Sequence, residues 1–167
     1  PNIPETVIAM LATTAIGAIW SSCSPDFGAQ GVLDRFGQIE PKVLFVANGY
    51  SYNGKTFDCL KTAAVLAQEI PSLTKVVVVP YVGAQPDLVC LGDKGIGYGE
   101  LLKPYDNKCI AFEPMAFNDP LCILFSSGTT GVPKCIVHRT GGVLLGPPKE
   151  VPSKGGGSER RRWWGWM

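Results

Sequence analysis

The sequence predicts an α/β fold, a partial open and mostly parallel sheet with flanking helices. Apolar residues at helical spacing are followed by a short strand-like run three times before residue 80. Residues 43–46 (VLFV) and 76–79 (VVVV) are apolar without alternation, which is typical of strands covered on both faces of a parallel sheet. Because helices and strands alternate along the chain, we expect right-handed crossovers that join parallel strands.

The first helix is predicted to begin at Asn2, which forms a capping-box pattern with Glu5 and places Pro4 in the first turn. Its apolar side chains surround the helix almost completely, so we expect it to be buried against a sheet. A face at helical spacing holds Ile8, Leu11, Ala12 and Ala15. Residues 18–20, just after Gly17, are predicted to form a strand.

The second helix presents Val32, Phe36 and Ile39 on one face and is expected to end at Pro41. Residues 43–46 then form a strand, and a turn at residues 53–54 (Asn-Gly) precedes the third helix. That helix is expected to end at Pro71 and to be followed by a strand at residues 75–79. Its apolar face holds Leu60, Ala63, Ala64 and Ala67.

The segment 80–118 has little apolar periodicity and is predicted to be a surface excursion with a short helix at 98–102. Residues 121–125 (LCILF) are expected to form a short buried strand, and residues 135–137 a second strand that His138 closes. For this histidine, the only one in the chain, a structural hydrogen bond is favoured over general-base catalysis.

Length, charge and cysteine content limit the classes of function that we expect for this chain. The chain has 167 residues, about one domain, and its net charge of +1 lacks the basic excess of a nucleic-acid-binding protein. The longest apolar stretch, residues 7–20, is shorter than the ~20 residues that span a bilayer, so no membrane partner is expected. The six cysteines form no CxxC pair, which disfavours a metal site and favours reduced thiols in a cytoplasmic protein.

Residues 126–134 (SSGTTGVPK), here called the phosphate loop, carry the clearest chemical signal. Glycines allow the backbone N–H groups to approach an anion, hydroxyls add donors, and a lysine adds positive charge. Three or four such donors could hold a di- or triphosphate. The predicted binding residues are Ser126, Ser127, Gly128, Thr129, Thr130, Gly131 and Lys134.

A Walker loop, GxxxxGK[ST], does not account for this segment. Counted from Gly128, Pro133 replaces the second glycine, and Cys135 replaces the hydroxyl that binds magnesium. A thiol is a poor ligand for a hard cation. The residues after the lysine are also expected to continue as a strand, whereas a Walker loop enters a helix. We therefore reject a Walker NTPase.

The run FSSGTTGVPK resembles the Ser/Thr/Gly-rich loop of the adenylate-forming enzymes, the superfamily of acyl-CoA synthetases, luciferases and peptide-synthetase adenylation domains. Together with residues 5–45, the YNGK turn at 52–55 and the glycine pair at 141–142, it is similar to the branch of acyl-CoA synthetases that activates acetoacetate. The likeness extends over about residues 3–145.

The resemblance implies an enzyme, a ligase of lipid and ketone-body metabolism. It would use ATP (as Mg-ATP) to convert acetoacetate to an acyl-adenylate with release of pyrophosphate, and CoA would then displace AMP. The loop would wrap the departing pyrophosphate, and Lys134 would supply charge at its exit. The resemblance assigns no catalytic residue and no metal ligand in this chain, so we expect the 167 residues to be inactive alone.

The resemblance also implies a domain organisation, with residues 1–145 forming part of an AMP-binding domain that belongs to a larger protein. Residues 146–167 (GPPKEVPSKGGGSERRRWWGWM) lack apolar periodicity and are interpreted as an unrelated, disordered tail. An alternative from a different class remains open, namely a non-catalytic nucleotide-binding or interaction module that recruits a partner through this Arg/Trp-rich tail.

Overall fold

The computed structural model describes residues 1–83, 85–105, 109–126 and 131–149. Within these residues the helices are α1 (Pro4–Ala15), α2 (Ala29–Phe36), α3 (Leu60–Glu69), α4 (Tyr98–Leu102) and α5 (Thr140–Lys149), with a 3-10 helix at Val89–Lys94. The strands are β1 (Trp20–Ser21), β2 (Val43–Ala47), β3 (Gly49–Tyr52), β4 (Lys55–Asp58), β5 (Lys75–Val79), β6 (Gly95–Gly97), β7 (Pro120–Ser126) and β8 (Lys134–Arg139). The predicted α/β class is confirmed.

The core lies on the parallel sheet β2-β5-β6. Strands β2 and β5 pair in register from Val43–Lys75 to Ala47–Val79, as expected for the two apolar runs. Helices α2 and α3 cover one face of this sheet, where Val76, Val78 and Ala63 are completely buried. Burying a valine or leucine side chain contributes about 1.5–3 kcal/mol, so this face supplies most of the apolar driving force in the described fold.

A second sheet, β1-β7-β8, corrects the prediction of one open sheet. Strand β1 pairs in parallel with β7, Trp20 lying opposite Cys122, and the Ser21 hydroxyl donates a hydrogen bond to the Ile123 carbonyl (2.8 Å). Strands β7 and β8 are antiparallel. The strand after the first helix therefore finds its partner about a hundred residues later, and local periodicity carries no information about such a pairing.

The Asn-Gly turn is confirmed, and it closes a hairpin of β3 and β4 that the sequence did not predict. Asn53 and Gly54 both have positive φ angles, 50° and 72°, as a two-residue type I′ turn requires. The rings of Tyr50 and Phe57 stack across the hairpin with centroids 5.0 Å apart. The hairpin is otherwise largely exposed, which explains why it left no apolar pattern to detect.

Helix α1 differs from its prediction in its capping residue and in its burial. The residue that caps it is Ile3, without a side-chain hydrogen bond, so the proposed Asn2 capping box is wrong. The helix is also not buried, because Ala9 is its only buried residue while Ile8 and Leu11 are 51% and 58% exposed. An apolar pattern predicts what a helix can bury, but burial depends on what packs against it.

The carboxyl end of α2 and the path of the chain after β5 also differ from the prediction. Helix α2 ends at Phe36 before Gly37, several residues earlier than Pro41. The segment after β5 is not only a surface excursion, because it contains the 3-10 helix with the buried Leu91 and adds β6 to the first sheet. The short helix at 98–102 and the strands at 43–46 and 75–79 are confirmed.

The tail was predicted to begin at residue 146, and α5 crosses that position and ends at Lys149. The Arg/Trp-rich part of the tail lies in 150–167, outside the described residues. Among the residues that the structure describes, no helix combines the length and apolar character that a membrane crossing requires.

Candidate functional site

The phosphate loop closes the antiparallel hairpin of β7 and β8. Strand β7 ends at Ser126, β8 begins at Lys134, and these two residues are direct partners in the ladder. Ser127, Gly128, Thr129 and Thr130 lie outside the described residues, so the predicted set is represented by Ser126, Gly131 and Lys134. The structure therefore describes the two stems of the loop, namely the end of β7 and the start of β8.

Ser126 and Lys134 lie side by side at the mouth of the loop. Directly opposed residues of an antiparallel pair have Cβ atoms ~4.5–5.5 Å apart and project from the same face of the sheet. Ser126 is half-buried and Lys134 is exposed. A hydroxyl donor and an ammonium group on one face suit the oxygen atoms of a phosphate.

Gly131 occupies a backbone conformation that favours glycine, with φ +94°. No atom of the residues that the structure describes lies within 4 Å of where a Cβ would be, so it is the backbone angle that favours glycine here. The positive φ angle therefore lets the chain turn within the loop, just before Pro133.

The other face of the hairpin ties the loop to the core. Phe125, the residue before Ser126, packs against Phe36 at the end of α2 with ring centroids 6.3 Å apart and planes tilted by 52°. Because side chains alternate along a strand, the packing of Phe125 directs Ser126 to the opposite face. The strand is only partly buried, with Leu124 41% exposed, so the prediction of a buried β7 is wrong in that respect.

A contact that the sequence did not predict lies at the exit of the loop. The Gln38 side-chain amide donates a hydrogen bond to the Pro133 carbonyl (3.0 Å), and its oxygen accepts one from the Cys135 thiol (3.6 Å). Gln38 follows α2 and is 95 residues from Pro133 in the chain. A single polar glutamine just after a helix carries no sequence signal that could have revealed this contact.

The chain after the loop continues as strand β8, as expected, and not as the helix of a Walker loop. His138 lies further along this strand, opposite Cys122. It is four positions beyond Lys134, which corresponds to ~13 Å along the strand. His138 is therefore remote from the mouth of the loop.

All six cysteines are free thiols. Burial raises the pKa of Cys23 from its ordinary value of 9.0 to about 11, with a smaller opposing effect of Arg35. Burial also raises the pKa values of Cys59 and Cys122. No group of three or more His, Cys, Asp or Glu side chains that could hold a metal ion occurs in the described ranges.

A cavity of about 420 Å³ has no lining residue from the phosphate loop. It is lined by Gly37, Glu40, Glu69, Ile70, Pro71 and Ser72, at the carboxyl ends of α2 and α3. Two carboxylates and no cationic side chain line it, which opposes the binding of a phosphate. The hairpin mouth is therefore the better candidate for an anion site.

Known proteins are similar to most of the length of this chain. The model of the AMP-binding enzyme family matches residues 1–146. Acetoacetyl-coenzyme A synthetase of Rhizobium meliloti (strain 1021) is 51% identical over 150 residues, which cover 90% of this chain and 23% of that protein. Acetoacetyl-CoA synthetase of Macaca fascicularis is 45% identical over 159 residues, again 90% of this chain and 23% of the relative.

A solved structure agrees with these relatives. Acetoacetyl-CoA synthetase from Streptomyces lividans superimposes with a TM-score of 0.77 at 46% identity, over 87% of this chain and 22% of that one. The chain thus spans less than a quarter of the length of the relatives it matches.

Proposed function

The chain belongs to the AMP-binding enzyme family, and on that premise we propose that it supplies the ATP-phosphate-binding hairpin of an acetoacetate–CoA ligase. In the proposed reaction the acetoacetate carboxylate attacks the α-phosphorus of ATP, forming acetoacetyl-adenylate and releasing pyrophosphate. The CoA thiol then attacks the acyl carbon and displaces AMP. ATP enters as its magnesium complex, so the cation arrives with the substrate.

The observation that carries this proposal is the similarity to acetoacetyl-CoA synthetases over 90% of the chain, at up to 51% identity. The geometry of the hairpin agrees with it, because Ser126 and Lys134 project together at the mouth of the loop. We propose that the loop, including Ser127, Gly128, Thr129 and Thr130, wraps the β- and γ-phosphates. Donors aimed at these oxygens would stabilise the charge that grows as the α–β bond breaks.

The same proposal includes domain organisation and location. Residues 1–145 would form part of the AMP-binding domain, which the family match to residue 146 supports. Residues 146–167 would lie outside that domain. We propose a cytosolic location, supported by six free thiols.

A chimera tests the ligase proposal. Residues 1–145 of this chain replace the matching segment of the Rhizobium meliloti relative, and acetoacetate-dependent exchange of labelled pyrophosphate into ATP is measured. We expect exchange in the chimera and none in the isolated 167 residues, because phosphate binding is the only step for which this chain has assigned residues. A folded chimera that fails to exchange, or that exchanges equally well with acetate, would contradict the proposal.

A further inference from the structure

Residues 36–38, at and just after the end of α2, contact both stems of the phosphate loop. Phe36 packs on Phe125 immediately before the loop, and Gln38 hydrogen-bonds to Pro133 and Cys135 at its exit. The two stems are therefore held by one short segment of a different element. Such an arrangement limits how far the stems can move relative to the core.

Gln38 uses both ends of its amide. Its nitrogen donates to the Pro133 carbonyl and also to the Asp34 carbonyl of α2, and its oxygen accepts from the Cys135 thiol. The bond to Asp34 anchors the amide to the helix. The bonds to Pro133 and Cys135 then place the residues on either side of Lys134.

The bond to Pro133 has a specific consequence for Lys134. A peptide group is planar, so the Pro133 carbonyl and the Lys134 N–H belong to one rigid unit. The proline ring fixes φ of Pro133, which leaves its ψ angle as the free rotation before Lys134. A hydrogen bond to the Pro133 carbonyl restrains that rotation and hence the direction in which the Lys134 side chain leaves the backbone.

We propose that Gln38 is a positioning residue for the phosphate site, acting through the Pro133–Lys134 peptide to aim the Lys134 ammonium group at the phosphate. This inference rests on the proposed phosphate-binding function of the loop. In this role Gln38 acts on the phosphate through Lys134. Since Gln38 is exposed, its contribution to folding is small, and its effect should appear in binding.

The test measures binding of inorganic pyrophosphate to the full 167-residue chain by isothermal titration calorimetry. Gln38→Ala is expected to weaken binding about three- to tenfold, equivalent to ~0.6–1.4 kcal/mol. Gln38→Glu should weaken it further, because a carboxylate cannot donate to the Pro133 carbonyl and adds negative charge at the loop exit. Both variants should keep the circular dichroism spectrum of the original chain.

Gln30→Ala is the matched control. Gln30 lies on α2 and, like Gln38, donates a hydrogen bond to Asp34, in this case to the carboxylate (2.7 Å), but it makes no bond to the described residues of the hairpin. Its replacement should leave pyrophosphate affinity unchanged.

A double-mutant cycle separates positioning from general loosening of the fold. If Gln38 acts through Lys134, then Gln38→Ala should have no further effect in a Lys134→Ala background. Equal weakening in both backgrounds, or an effect of Gln38→Ala no larger than that of Gln30→Ala, would overturn this inference alone. Absence of pyrophosphate binding by the unsubstituted chain would overturn the phosphate site and this inference together.

Discussion

Replacing Lys134 with alanine tests the electrostatic core of the proposed site. Lys134 begins β8, is exposed, and stands opposite Ser126. A hydrogen bond that involves a charged group contributes roughly 1.5–3 kcal/mol, and solvent screening of an exposed side chain favours the lower end. A loss of ~1.5 kcal/mol corresponds to about tenfold weaker binding of pyrophosphate or ATP.

The measurement is calorimetric titration of the chain with pyrophosphate, ATP and adenosine. Only the phosphate-bearing ligands should lose affinity, because the ammonium group acts on phosphate oxygens. Arg139→Ala is the matched control. Arg139 ends the same strand and is exposed, and its replacement removes the same charge as Lys134→Ala does. Five residues of strand place it ~17 Å from Lys134, beyond the Debye length of ~8 Å at physiological ionic strength.

The two variants should therefore differ by close to tenfold in pyrophosphate affinity while their melting temperatures agree. Equal losses would mean that net charge and not position attracts the ligand. Unchanged binding by Lys134→Ala would refute the assignment of this lysine to the phosphate site.

Three further predictions concern stability and the loop. Val78→Ala removes completely buried methyl groups and should lower the free energy of unfolding by ~2–3 kcal/mol in urea titrations, whereas Val89→Ala, at a site 83% exposed, should change it by less than ~0.5 kcal/mol. Because burial raises the pKa of Cys23 to about 11, the stability due to its neutral thiol should be complete below pH 9 and lost between pH 9 and 11, a dependence that Cys23→Ser should remove in pH-dependent unfolding. Gly131→Ala, at φ +94°, should weaken pyrophosphate binding several-fold in calorimetry, whereas Gly142→Ala, without a positive φ, should not.

Local physics explains which elements the sequence predicted. The runs at 43–46 and 75–79 were predicted as strands of a parallel sheet, and their parallel pairing is confirmed. Coverage on both faces holds for β5 after Lys75, whereas β2 begins with an exposed Val43. The Asn-Gly turn was predictable because few residue pairs adopt two positive φ angles. Family membership was likewise predictable, since the loop motif is contiguous in the chain.

Contacts between distant segments explain what was missed. The exposure of α1, the hairpin of β3 and β4, and the separate sheet of β1, β7 and β8 all depend on which surfaces meet. The same limit applied to the candidate site. Sequence reasoning placed Ser126, Gly131 and Lys134 in one loop, but it could not find Gln38 at the loop exit.

The sequence by itself determined the α/β class, the core strands and the membership in the AMP-binding enzyme family, because each depends on residues adjacent in the chain or repeated at a fixed spacing. Only the tertiary structure decided that Ser126 and Lys134 face the same side of a hairpin and that the end of α2 holds both stems. The reason is physical: dihedral preferences and apolar periodicity act over a few residues. Strand register depends on the pairing of two segments, and the packing that joins α2 to the hairpin links residues about ninety positions apart.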